Sequence, residues 1–273
     1  MNPLISLKKA TLPLLITFLL CAFVVLPGAQ AVSPPPDGGY PNGNTAEGDF
    51  ALQNLTTGTF NTALGFFSLF SDTAGLQNTA VGAGALFKNT ANDNTASGAG
   101  ALFNNTIGTR NTANGLGALF TNDVGNDNTA VGWEALASNT TISGVSGSFN
   151  TATGSHALLS NTTGHHNTAD GAFALLDNST GNFNTAIGQA ALSSNTMGSE
   201  NTAVGLAALD SNVAGGGNTA VGLEALENNT SGGDNTAIGR RALSVNDHGN
   251  FNGRGGGSTT IQYRGYQQYG CRF

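Results

Sequence analysis

A chain of 273 residues with 40 glycines, one tryptophan and only 9 % charged side chains lacks the composition of a globule built on large buried side chains. Its glycines carry no Gly-X-Y period, which excludes a collagen-like helix. A formal net charge of −7 excludes general attraction to nucleic acid or anionic lipid, since both require basic patches.

The first element in chain order reads as a signal peptide over residues 1–31. Lys8 and Lys9 precede an apolar stretch from Leu12 to Leu26, and Pro27 leads into Ala29-Gln30-Ala31, an A-x-A cleavage site. The stretch falls short of the roughly 20 residues that a membrane-spanning helix needs. Leu20 stands before Cys21 where a lipidation box requires a small residue, so cleavage after Ala31 is expected rather than lipid attachment. The mature chain then keeps one cysteine, Cys271, and can form no internal disulfide. A secreted or cell-surface location is expected. Residues 32–43 (VSPPPDGGYPNG) read as an extended Pro/Gly linker.

From Asn44 onward the phrase Asn-Thr-Ala-x-Gly occurs twelve times, ending at Gly239. The step is 17 residues except for 16 after Asn78 and 22 after Asn128. A short fixed period marks a stacked structure, because 17 residues cannot bury a core alone. Aligned, the copies give Asn-Thr-Ala-x-Gly-x-x-Ala-Leu-x-x-Asn-Thr-x-Gly-x-x over residues 44–251. The expectation is an all-β parallel β-solenoid, or β-roll, of about twelve 17-residue coils. One short strand is placed on Asn-Thr-Ala-x. Around Ala-Leu the pattern allows either a second strand or a single short helical turn, since so few residues separate the flanking Gly and Asn. At about 4.8 Å per coil the stack is expected to form a rod roughly 58 Å long.

The fixed letters have physical readings. Ala80 and its equivalents point inward, where stacked coils leave no room for more, and Leu52 through Leu243 fill the remaining volume. Gly82 and its equivalents suit a sharp corner with positive φ or a close backbone approach. The first asparagine is expected to form a ladder, each amide bonding its counterpart in the neighbouring coil. For the second, as at Asn89, a ladder and simple tolerance of turn geometry are both open; Leu55 and Asp72 replace it in the first two copies. Both length changes, including the five extra residues within Thr141 to Phe149, fall just after the second asparagine, which marks that stretch as the loop. Residues 252–273 form a degenerate tail that begins as a thirteenth coil and then loses the pattern.

Phrases such as Thr79 to Ala85 and Thr129 to Ala135 (Thr-Ala-Val-Gly-x-x-Ala) resemble the head repeat of YadA-like trimeric autotransporter adhesins. Similar repeats occur in tail-fibre-like proteins of phage and bacteria. The resemblance covers residues 44–251. It implies a left-handed parallel β-roll, side-by-side trimerisation, and binding to host matrix or another surface. The period here is longer than in that family. The residue after the fixed alanine is apolar in seven copies and polar in five, as Val81 and Glu47 illustrate. The family's coiled-coil stalk and C-terminal anchor have no counterpart after Phe251, and Ile261 to Phe273 could supply at most one barrel strand, so autotransport is not expected.

No catalytic constellation is apparent, and no enzyme, cofactor or small-molecule substrate is expected. His156, His165, His166 and His248 do not recur with the period, and no fixed carboxylate or cysteine accompanies them. Asp93, Asp127 and Asp234 share one column, but that column elsewhere holds Phe60, Arg110 or Gly217, unlike a calcium-binding roll with a fixed Asp. The threonine of each phrase is expected to cap its strand or face solvent; an ice-binding face would want two outward threonines per coil.

The candidate interaction stripe is the column after the fixed leucine. It holds Phe70, Phe87, Phe103 and Phe120 in consecutive coils, then Ala137, Leu159 and Leu176, and ends polar with Ser193, Asp210, Glu227 and Ser244. The aromatic part is either core or an exposed strip suited to self-association or to a foreign ligand. The expected function is that of a non-enzymatic, adhesin-like solenoid binding an unknown surface or matrix through its variable positions, as a homo-oligomer (a trimer by resemblance). The alternative is a purely structural extracellular or tail-fibre-like rod.

Overall fold

The computed structural model describes residues 41–142 and 144–255, so the expected signal peptide, most of the linker and the tail beyond Gly255 lie outside the described residues. The chain from Thr45 to Gly255 is a β-solenoid. Thirteen three-residue strands, from Thr45–Glu47 to Gly253–Gly255, pair in parallel and in chain order in a single sheet. The last strand shows that the sheet continues past residue 251 into the thirteenth coil.

The first twelve strands are Thr-Ala-x, and their burial runs outward, inward, outward, as at Thr112–Asn114; the thirteenth is Gly-Arg-Gly. The inward alanines are fully buried from Ala63 to Ala237. Alanine is required because threonine sits on threonine and alanine on alanine in each register among the first twelve strands, as Thr45↔Thr62 and Ala46↔Ala63 show; only the last pairing differs, with Thr236↔Gly253 and Ala237↔Arg254. The register survives both irregular steps, with Thr79↔Thr95 across the short one and Thr129↔Thr151 across the long one. The loop therefore absorbs every change in length. The five added residues form a hairpin that pairs Thr141 with Ser146 and Ile142 with Val145. The threonines face outward, and only the strand Thr151–Thr153 puts two of them on the outer face.

After each strand the chain turns at the fixed glycine. Gly82 has φ +132°, and a Cβ there would lie 2.7 Å from the Gly98 carbonyl carbon and oxygen, so positive φ and close approach both apply. The next segment is neither a strand nor a helical turn. It is a run of turns in which the fixed leucine adopts a left-handed conformation, with φ 53° at Leu86 and 51° at Leu175. A helix cannot pass through such a residue. Instead the Leu86 N–H donates across to the Ala101 carbonyl of the next coil at 3.0 Å. Complete burial of ten of these leucines offsets the backbone strain, at roughly 1.5–3 kcal/mol per side chain.

Two asparagine ladders hold the opposite corner. In the first, the Asn184 side chain donates to Asn167 Oδ1 (3.2 Å) and the Gly198 carbonyl (2.8 Å). Its own Oδ1 accepts from the Asn201 backbone N–H (3.0 Å) and Nδ2 (3.1 Å). All four hydrogen-bonding positions of the amide are thus used. In the second ladder Asn195 Nδ2 donates to Asn178 Oδ1 (2.8 Å) and to the Gly198 carbonyl three residues on (2.9 Å). The second column is therefore a ladder as well, and both columns converge on the same glycine carbonyl. Every buried side-chain nitrogen and oxygen among the described residues has a partner.

Asp72 interrupts the second ladder near its start. Its carboxylate accepts from the Gly75 N–H (2.7 Å) and from Asn78 Nδ2 (3.3 Å), but burial dominates and pushes its pKa above the ordinary value of 3.8. A carboxyl raised in the folded state stabilises the fold at low pH, and that contribution is lost as pH climbs from about 3.8 through the folded pKa. Asp72→Asn would restore a donor toward the Gly75 carbonyl. It is expected to raise the urea midpoint at pH 7, with the advantage shrinking as pH falls through that window.

Candidate interaction surface

The outer wall consists of columns of equivalent side chains stacked one coil apart. Phe70, Phe87, Phe103 and Phe120 form one continuous stack, with ring centroids 5.3, 4.9 and 5.2 Å apart and planes within 5–12° of parallel. The stack is not core. Phe70, Phe87 and Phe103 are half-buried and Phe120 is 39 % exposed, while the interior is filled by the Ala and Leu columns. The last two rings each rest on a glycine of the coil before, whereas Phe87 meets the edge of Phe67 at 5.8 Å. A Cβ on Gly84 would stand 3.1 Å from the Phe103 ring, and one on Gly100 would stand 3.3 Å from Phe120. Parallel contacts of this kind add about 0.5–1.5 kcal/mol per pair beyond burial.

Two further aromatic groups lie on other columns. Phe149, His166 and Phe183 occupy the position before the fixed asparagine and stack at 4.8 and 5.0 Å. His156 stacks on Phe173 at 5.5 Å and meets the edge of Trp133 at 4.5 Å. A third set, Phe50, Phe66 and Phe67, extends the N-terminal end of the Phe70 stack through Phe67. Read down its columns for aromatic rings, the 17-residue alignment shows the Phe149 set as it shows the Phe70 column.

No family model and no curated protein matches the chain.

The electrostatics of the wall are sparse and local. Arg110 grips Asp127 of the next coil bidentately at 2.7 and 2.8 Å, and this hydrogen bonding holds the Asp127 carboxyl below its ordinary range. Arg241 pairs through Nε alone with Glu224 of the preceding coil. Both pairs are largely solvated and contribute little stability. His165 and His166 meet at Nδ1···Nδ1 2.9 Å, and partial burial followed by repulsion from His166 pushes the His165 pKa down. Among the described residues no three His, Cys, Asp or Glu side chains gather closely enough to hold a metal ion.

A groove of about 420 Å³ opens on this wall at the end of the phenylalanine stack. Phe120 forms one end, Ala137 and Leu159 continue its column, and Glu134 stands on the rim. The groove exists because the column changes from Phe120 to Ala137 while the coil backbone continues unchanged.

Proposed function

We propose that this protein is a secreted or cell-surface, non-enzymatic solenoid that binds another surface or a matrix through its outer columns, in the manner of an adhesin. One observation carries the reading. The scaffold letters are consumed inside the stack, while the outer columns change identity from coil to coil on an unchanging backbone. A continuous half-exposed phenylalanine stack is a poor solvent surface and a good contact surface. Side-by-side association into a trimer, as the repeat's resemblance to adhesin heads implies, would cover that stack.

Phe103→Asp breaks two ring contacts and places a charge mid-stack. It is expected to lower the oligomeric mass measured by light scattering while the circular dichroism stays that of the folded coil. An unchanged mass removes the stack from the interface. Adhesion itself is tested by retention of the purified protein on a panel of matrix-coated and cell-derived surfaces. Saturable retention on one of them is expected, and uniform failure favours the structural alternative. The last four coils lend that alternative some support, since their equivalent column is Ser193, Asp210, Glu227 and Ser244, as suits a plain spacer.

A further inference from the structure

The phenylalanine column points to a more specific recognition element. In three consecutive coils a ring lies parallel on the one before it, about one coil repeat away. Gly84 and Gly100 leave the floor beneath Phe103 and Phe120 bare of side chain. Gly117 repeats that floor one coil later, with φ +66° like Gly84 and Gly100, but the residue that should lay a ring over it is Ala137. The nearest side-chain atom over Gly117 is instead the Glu134 Cγ, 3.3 Å from where a Cβ would stand. The outcome is a slot with an aromatic floor already built, closed beyond by Leu159 and bordered by one carboxylate.

The geometry points to this slot as the seat of an aromatic side chain from a partner polypeptide, inserted as the next ring of the stack, with a basic residue beside it reaching Glu134. The ring is dictated by Phe120, whose outer face has no parallel neighbour and which is 39 % exposed. The positive charge is dictated by Glu134, the only charged side chain lining the slot. The Glu134 carboxylate lies 3.4 Å from His156 Nε2 and remains 40 % exposed. An opposite charge docking there would gain both Coulomb energy and selectivity. A polypeptide suits the slot better than a free small molecule. Small-ligand sites enclose most of their ligand, whereas this groove lies open along the outer wall, where Leu116 is 56 % exposed. An anchor side chain from a chain running across the wall buries its ring and leaves its backbone outside, as aromatic anchors of protein interfaces do.

The inference refines the surface-binding proposal and can fail separately from it, because its test uses a soluble peptide and no surface. The probe is the capped tetrapeptide acetyl-Gly-Phe-Lys-Gly-amide, titrated into the full chain. The readout is the indole N–H resonance of Trp133, the only tryptophan and the neighbour of Glu134. Saturable shifts are expected, at least tenfold weaker when Phe in the peptide becomes Ala or when Lys becomes Glu. Ala137→Phe supplies the missing ring from within, displaces the Glu134 stem from over Gly117, and is expected to abolish the shifts while preserving strand-amide protection. Glu134→Gln is expected to weaken Phe-Lys binding severalfold and to erase the preference over Phe-Glu. Equal binding of the Phe and Ala peptides, or undiminished binding by Ala137→Phe, would overturn the proposal. Retention on a surface that survives in Ala137→Phe would leave adhesion standing and assign it to another column.

Discussion

Gly188→Ala is expected to be among the most damaging single substitutions in the chain, costing about 3–5 kcal/mol. Gly188 sits at φ +127°, and an added Cβ would lie 2.6 Å from the Gly205 carbonyl oxygen and 2.7 Å from its carbon. Neither obstacle is a side chain that can swing away. To make room, one coil must lift off the next, and that separation also breaks the hydrogen bond from the Gly205 N–H to the Ile187 carbonyl at 2.8 Å. Repeat arrays derive stability from nearest-neighbour interfaces. The damage should therefore be local, with amide exchange accelerating in the coils on either side of Gly188 and distant coils keeping their protection. Gly144 provides the control. It sits at φ +82° in the hairpin loop with nothing within 4 Å of an added Cβ, so Gly144→Ala should cost only the backbone strain, about 1–2 kcal/mol.

Asn184→Ala is expected to cost a similar amount, about 3–5 kcal/mol, for a different reason. It removes both donors and the doubly used acceptor described above, leaving the Asn201 backbone N–H buried without its partner, the Gly198 carbonyl with Asn195 alone and the Asn201 side chain with the Gly215 carbonyl alone. A buried polar group left unmatched costs about 1–3 kcal/mol, which is more than the intact bond contributes. Asn184→Asp separates hydrogen bonding from packing. It keeps the size and the acceptor but turns a carboxylate toward the Gly198 carbonyl and Asn167 Oδ1. Its folded pKa should be raised, so the lost stability should return as pH falls and the protonated carboxyl supplies an O–H donor. Urea unfolding of both variants at pH 7 and pH 4 checks this. Only Asn184→Asp should recover at the lower pH.

The architecture was legible because the fixed letters report steric and hydrogen-bonding demands that recur in every coil. Alanine at Ala80, glycine at Gly82 and asparagine at Asn78 hold in all twelve copies, and asparagine at Asn89 in ten, so recurrence alone exposes their roles. The conformation of the Ala-Leu segment was not legible. Leucine normally signals a helix or a buried strand, and its identity here is set by burial while its φ is set by the coil closing on itself. A weaker signal lay two residues before the leucine, where Gly84, Gly100 and Gly117 hint at the positive φ that Phe67 and Glu134 share in other coils. The position before the first asparagine carried the same hint through Asp93, Asp127 and Gly217.

The candidate surface was half legible. The Phe70 to Phe120 column stood out because four identical large residues follow one another. Whether they lay inside or outside depended on how wide the coil is, which the sequence does not state. The groove beyond Phe120 was written as the change to Ala137, but a missing ring has meaning only once the rings around it are known to stack.

The chain divides into a scaffold of fixed letters and a working surface of variable ones, and one substitution set tests that division directly. Phe70, Phe87, Phe103 and Phe120 are all replaced by serine, the residue that the same column already carries at Ser193 and Ser244 within intact coils. The measurement is retention of this variant on the surface that holds the wild-type chain, with strand-amide exchange recorded on the same sample. The predicted result is native-like protection in the coils with retention lost. Full retention on an intact stack would contradict the account, and so would collapse of the coils themselves.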